Sequence, residues 1–213
     1  NALSLEMWQG LADILAHYAA NDAVRVAVMR GAGGKAFVSG ADISKFGAER
    51  ATPEAVEIYN KMTEMAYSGF HDFPKPTIAM IEGYCIGGGL GLAVSCDMRI
   101  CSEKSRFAVP AAKLGLGYDY PGLRRLMDVV GPSFTKEIFF TARQFDAEEA
   151  KAMGLVNRVV PSAELETYVK NYAEVIAGNA PLTIGSVKFI VGEALKDESR
   201  RNIEAMSASV RRC

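Results

Sequence analysis

The sequence predicts an α/β fold with an appended helical segment, and three observations carry that prediction. Short apolar strands alternate with helix-like runs up to about residue 160. From Ser162 to Cys213 the chain reads as helices alone. No linker-like or low-complexity stretch divides the 213 residues, enough chain for one domain with a substantial core. The reading therefore sets a core at 1–161 and a helical segment at 162–213.

The elements follow in order. "SLEMWQGLADILAHYAA" is an amphipathic helix with Ser4 as N-cap and Leu5, Trp8, Leu11, Leu15 and Tyr18 at helical spacing. "VRVAVMRG" is a strand ending at a glycine turn, and residues 31–47 read as a loop rich in Gly and Ala. "TPEAVEIYNKMTEMAYSGF" is a helix capped by Thr52, with Pro53 at its first position. "KPTIAMIEG" is a short apolar strand. A glycine cluster and a buried helix, "LGLAVSCD", come next, then two short strands, "MRICS" and "SRFAVP". "LRRLMDVVG", "SFTKEIFFTA" and "DAEEAKAMG" are short helices separated by breakers, the third with Asp146 and Glu149 in capping-box spacing. "VNRVV" is the last strand.

The bulk numbers exclude some functions. The 24 Lys and Arg nearly balance the 25 Asp and Glu, so there is no overall basic excess for nucleic acid or an anionic membrane. Arg124-Arg125 is too short a cluster to alter that. Cys85, Cys96, Cys101 and Cys213 form no CxxC pair and no ligand spacing with His17 or His71, which speaks against a metal centre. Three of them lie among apolar residues, which favours a reducing compartment over a disulfide framework. No apolar run approaches a membrane span. The expected location is cytoplasmic, of bacterial type. The opening "NALSLEMW" already sits inside a helix start, which leaves an organellar leader open.

Two glycine loops compete as binding sites. "GAGGKA" fits G-x-G-x-x-[GA], but "FVSGAD" follows where a dinucleotide fingerprint needs a helix, and Ala36 follows Lys35 where a phosphate loop needs Ser or Thr. It reads as a turn. "GYCIGGGLGLAVSCD" has the better context of strand, glycines and helix. At a helix start the first N–H groups lack intrahelical partners, and glycines let a ligand oxygen approach them. The alternative is that these glycines only let a helix pack tightly on a sheet.

Four motifs in this order, "GKAFVSGADI", "KPTIAMIEGYCIGGGLGLAVSCDMRI", "FAVPAAKLGLGYDYPGLRRL" and "GLVNRVV", closely resemble the crotonase superfamily, the enoyl-CoA hydratase/isomerase fold. The resemblance covers nearly the whole chain. It implies a spiral of ββα units with a C-terminal helical trimerisation segment, and hence a homotrimer or a dimer of trimers. It also implies that the family's first strand and last helix lie outside residues 1–213. The implied partner is an acyl-CoA thioester, with coenzyme A carried by the substrate and no separate cofactor. By motif matching, the backbone N–H groups of Ala41 and Gly88 form the oxyanion hole, and Ala2, Lys45 and Tyr118 fall on the substrate or CoA side.

The chain departs from the family at two positions. The two glutamates that hydratases use correspond to Gly91 and Ala111, and neither can act as acid or base. Asp119, in "KLGLGYDYPG", falls where several isomerases of the superfamily, and a dehalogenase, carry a working aspartate. A dehalogenase also needs a tryptophan, matched here by Ala111, and a histidine for which His17 and His71 are poor candidates. Shifting a C=C bond needs one proton removed and one returned, which a single carboxylate can do. An apolar pocket around Asp119 would raise its pKa and make it a better base, with Tyr118 and Tyr120 flanking it. Composition alone would make Asp119 a turn residue. Glu82 and Asp97 read as structural. The favoured reading is a double-bond isomerase using Asp119. The alternatives are a hydratase with divergent chemistry, a non-catalytic acyl-CoA-binding homologue, and the weakened nucleotide reading of "GAGGKA".

Overall fold

The protein is described by a computed structural model covering residues 1–41 and 51–213. Helix α1 (Leu5–Ala20) begins where the Ser4 hydroxyl accepts a hydrogen bond from the Met7 N–H, and it buries Trp8 and Leu15. Strands β1 (Ala27–Arg30) and β2 (Ala36–Val38) follow. Helix α2 (Pro53–His71) is capped by the Thr52 hydroxyl, which accepts from the Ala55 N–H. Then come β3 (Thr77–Ile81), β4 (Tyr84–Ile86) and α3 (Gly88–Ser95). The next unit is β5 (Met98–Ser102), β6 (Arg106–Ala108), the single turn α4 (Ala111–Leu114) and α5 (Tyr120–Thr141). Helix α6 (Ala147–Ala152), strand β7 (Arg158–Val160) and helices α7 (Leu165–Gly178), α8 (Pro181–Ala194) and α9 (Ile203–Arg211) complete the chain.

Each ββα unit divides its strands between two sheets. First strands build a four-stranded sheet in the order β1-β3-β5-β7, and second strands a three-stranded sheet in the order β2-β4-β6. Every pairing between these strands is parallel. Successive units therefore stack on one another, which is the geometry of a spiral. All five residues of β3 are buried, as expected of a parallel strand covered on both faces. Phe37, Ile81, Cys85, Leu92 and Phe107 join the two sheets in one apolar core.

Most elements stand where local signals placed them. The capping box at Asp146 and Glu149 makes both of its reciprocal bonds, at 2.9 and 3.0 Å. Asp97 is structural: its carboxylate accepts from the Thr77 N–H and hydroxyl and pairs with Lys188 at 2.8 Å. The two helices expected on either side of Gly131 are both present within α5 and meet at a kink, where Gly131 takes the non-helical φ 74° and ψ 171° ahead of Pro132. Strands β2 and β4 differ from the sequence reading, which placed a loop and a glycine segment there. Three residues are too few for an alternating pattern to show, and pairings such as Ala36 with Tyr84 and Cys85 with Phe107 define these strands instead.

Candidate functional site

The carboxyl ends of β2, β4 and β6 open onto a cavity of about 580 Å³. Parallel strands in register deliver their following residues to one edge, the usual place for a ligand in such sheets. Ser39–Ala41 arrive after β2, Gly87 and Gly88 after β4, and Pro110 and Ala111 after β6. One face of α2 and the start of α5 close the remaining sides. The cavity thus gathers Ala41, Gly88, Tyr118 and Asp119 from three separate stretches of chain. A second cavity, of about 570 Å³, lies under α8 against Val94–Arg99 and holds none of the site residues expected from sequence.

The glycines of "GGGLG" do different things. Gly87, at φ 56°, turns the chain from β4 into α3, and its N–H bonds to the Ala108 carbonyl at 2.8 Å. The Leu90 and Gly91 N–H groups return to the Gly87 carbonyl, so the earliest helix donor, at Gly88, has no intrahelical acceptor. Gly88 lines the cavity, where the positive end of the helix dipole favours a developing oxyanion. Gly89 serves packing: a Cβ there would lie 2.4 Å from the Val38 carbonyl oxygen. Gly91 serves packing too, because its Cβ would lie 2.9 Å from the Tyr67 hydroxyl and 3.0 Å from the ring. Ala41 reaches the cavity from the end of β2, beside Leu3, whose N–H bonds to the Gly40 carbonyl at 2.9 Å.

Asp119 precedes the first residue of α5 and lines the cavity, and its side chain does not cap that helix. The apolar shelter expected around it is not found. Residues 112–120 run exposed, because α4 is a single turn that ends at Gly115 in the left-handed region. Tyr118 also lines the cavity, its ring edge-on to Phe139 at 4.8 Å. Tyr120 is exposed outside the cavity, its hydroxyl 3.4 Å from the Arg124 guanidinium. Ala2 is exposed and does not line the cavity, and Lys45 lies outside the described residues. Ala111 contributes only a buried methyl to the wall. Neither hydratase position supplies a carboxylate. Among the described residues, no group of three His, Cys, Asp or Glu side chains is placed to hold a metal ion.

Sequence reasoning passed over the wall built by α2. Tyr59, Asn60, Thr63, Glu64 and Tyr67 recur at helical spacing along it and face the cavity. Glu64 accepts two hydrogen bonds from Arg125, at 2.9 and 2.7 Å. That guanidinium holds the Glu64 carboxyl below the usual glutamate range, against an opposing effect of partial burial. Burial drives the Tyr67 phenol far above the ordinary tyrosine range, so it remains a neutral O–H donor.

The Glu64–Arg125 pair gives a pH prediction. A carboxyl whose folded pKa is depressed adds stability above its unfolded value and loses it as pH falls through the folded one. The glutamate is partly solvent-exposed, so the pair contributes under about 1 kcal/mol. Wild type should melt above Glu64→Gln at neutral pH, and the gap should close below the ordinary glutamate range. Melting curves of both proteins across pH 2–7 check this.

Comparisons with known proteins agree with this architecture. A family model described as enoyl-CoA hydratase/isomerase matches residues 1–211. The carnitinyl-CoA dehydratase of Proteus mirabilis (strain HI4320) is 35% identical over 193 residues, covering 89% of this chain and 72% of the relative. The short-chain-enoyl-CoA hydratase of Clostridium acetobutylicum is 33% identical over 196 residues, covering 92% of this chain and 74% of the relative. An enoyl-CoA hydratase/carnithine racemase crystal structure from Magnetospirillum magneticum superposes with a TM-score of 0.89 at 37% identity, covering 93% of this chain and 76% of that one. A putative enoyl-CoA hydratase/isomerase family protein from Hyphomonas neptunium gives 0.92 at 36% identity, covering 99% and 80%.

Proposed function

Since the chain belongs to the enoyl-CoA hydratase/isomerase family, we propose that it is an acyl-CoA double-bond isomerase with Asp119 as its acid and base. One observation carries the reading. Asp119 lines the same cavity as Ala41 and Gly88, while Gly91 and Ala111 bring no carboxylate to it.

The chemistry follows from those groups. The Ala41 and Gly88 N–H groups hold the thioester oxygen of a 3-enoyl-CoA. Asp119 takes a proton from the α carbon, and the electron pair spreads onto that oxygen as an enolate. The two donors stabilise the charge as it develops, each contributing about 3 kcal/mol to the barrier reduction. The protonated Asp119 then returns its proton to the γ carbon, the double bond moves to the 2-position, and the carboxylate is regenerated. Atoms and charge balance without water and without a cofactor beyond the coenzyme A of the substrate.

A second reading, hydration or dehydration, is favoured by the relatives named dehydratase and hydratase. Incubation with 2-enoyl-, 3-enoyl- and 2,4-dienoyl-CoA separates the two. Conversion of the 3-enoyl or dienoyl form, lost in Asp119→Asn, supports the isomerase. Rapid water addition to the 2-enoyl form, untouched by that substitution, overturns it. Saturable binding with every acyl-CoA unchanged would mean a non-catalytic binding protein.

The assembly we propose is a homotrimer or a dimer of trimers. Helices α8 and α9 leave Leu182, Val187, Val191, Ile203 and Val210 exposed, an apolar surface that a neighbouring subunit would cover. Light scattering of the purified protein should give three or six times the chain mass. The three buried free thiols suit a reducing compartment such as the cytoplasm.

A further inference from the structure

Tyr67 is fixed on several sides while its hydroxyl remains poorly engaged. Its ring lies edge-on to Trp8 at 5.2 Å, and the Arg125 guanidinium sits 5.1 Å from its centroid. Arg125 is itself held by Glu64, one turn earlier on α2. The third side is Gly91, where any side chain would strike the phenol. Among the described residues, the Tyr67 hydroxyl makes one hydrogen bond, a long one of 3.4 Å to the Gly88 carbonyl. Because Gly88 begins a helix, that carbonyl also serves the ladder of its own turn.

A rigid ring with an under-used donor at a cavity wall is a binding group, since the cost of ordering it is already met by the fold. It is also a neutral one, because burial keeps the phenol protonated. The donor stands beside the Gly88 carbonyl, and Tyr67 lines the same cavity as Gly88, whose N–H is assigned to the thioester oxygen.

We infer that Tyr67 is a specificity-determining residue that donates a hydrogen bond to an oxygen on the acyl group close to the thioester. This rests on the acyl-CoA reading of the cavity and goes beyond it, because it names the acyl groups the site prefers: those bearing a carbonyl or hydroxyl oxygen near the thioester, over plain alkyl chains. Gly91 acquires a purpose in the same step, as the residue whose missing side chain makes room for the phenol.

The test compares acetoacetyl-CoA with butyryl-CoA, four-carbon thioesters that differ by one acceptor oxygen, by titration calorimetry. Wild type should prefer acetoacetyl-CoA by about tenfold, the scale of one net hydrogen bond in a dry site. Tyr67→Phe keeps the ring contacts and should abolish that preference through weaker acetoacetyl-CoA binding alone, with an unchanged melting temperature. Gly91→Ala, which pushes the ring aside, should reduce the preference in the same way and covers the case in which Tyr67→Phe folds poorly. An equal loss for both ligands in Tyr67→Phe, or an unchanged preference, would overturn the assignment and leave the acyl-CoA reading standing. Failure of wild type to bind either thioester would overturn both.

Discussion

Asp119→Asn should lower kcat for double-bond isomerisation by about 10²–10⁴-fold, the usual contribution of a positioned acid/base group. The substitution keeps the shape of the side chain and removes only its ability to take up and return a proton. KM should change little, because the thioester oxygen is assigned to the Ala41 and Gly88 N–H groups and not to Asp119. Stability should stay within about 0.5 kcal/mol, as for other surface positions. Asp119 is exposed, and its side chain does not cap the helix that follows it. Steady-state kinetics and a melting curve on the same preparation check both halves. A kcat within threefold of wild type would remove Asp119 from the mechanism.

The largest stability effect should come from Arg99. Its buried guanidinium donates to the Leu155, Cys96 and Ala93 carbonyls at 2.7, 2.8 and 3.3 Å, tying the end of α3 to the segment before β7. Its backbone N–H bonds to the Asn157 side chain at 2.8 Å. Arg99→Met would strip the guanidinium from the Leu155 and Cys96 carbonyls, at about 1–3 kcal/mol apiece, while the Ala93 carbonyl keeps the Cys96 N–H. We expect a loss of at least about 3 kcal/mol, and about 10 °C in Tm for a chain of this size. The site should suffer with it, because α3 carries Gly88 at its other end. Denaturant melts of the variant check the value, and a loss under 1 kcal/mol would contradict this account of the Arg99 network.

The sequence was most informative where the signal is local. Ser4, Thr52 and Asp146 announce helix starts through side chains that need only a neighbouring N–H, and β3 announces itself by a short apolar run between Pro76 and Gly83, all five of its residues proving buried. Strands β2 and β4 were hidden because three residues carry no pattern, and only pairing with distant strands makes them strands. Ala41 and Gly88 were singled out through motif resemblance. What brings them to one cavity is the parallel register of β2 with β4, which no local rule reports. The cavity wall on α2 stayed hidden for the opposite reason. A polar helix face ordinarily faces water, and the ion pair that marks this one joins Glu64 to a residue 61 positions away. Gly91 read as a missing carboxylate, and the structure shows its space taken by the Tyr67 ring.

A double-bond isomerase adds no water to its substrate, so isotopic water tests the assignment most directly. The enzyme would be incubated with a 3-enoyl-CoA, and separately with a 2-enoyl-CoA, in H₂¹⁸O, and the products weighed by mass spectrometry. We predict conversion of the 3-enoyl to the 2-enoyl thioester at unchanged mass, with no labelled hydroxyacyl product on the timescale of turnover. Rapid appearance of ¹⁸O-labelled 3-hydroxyacyl-CoA from either substrate would contradict the account and make the protein a hydratase that works without the two glutamates.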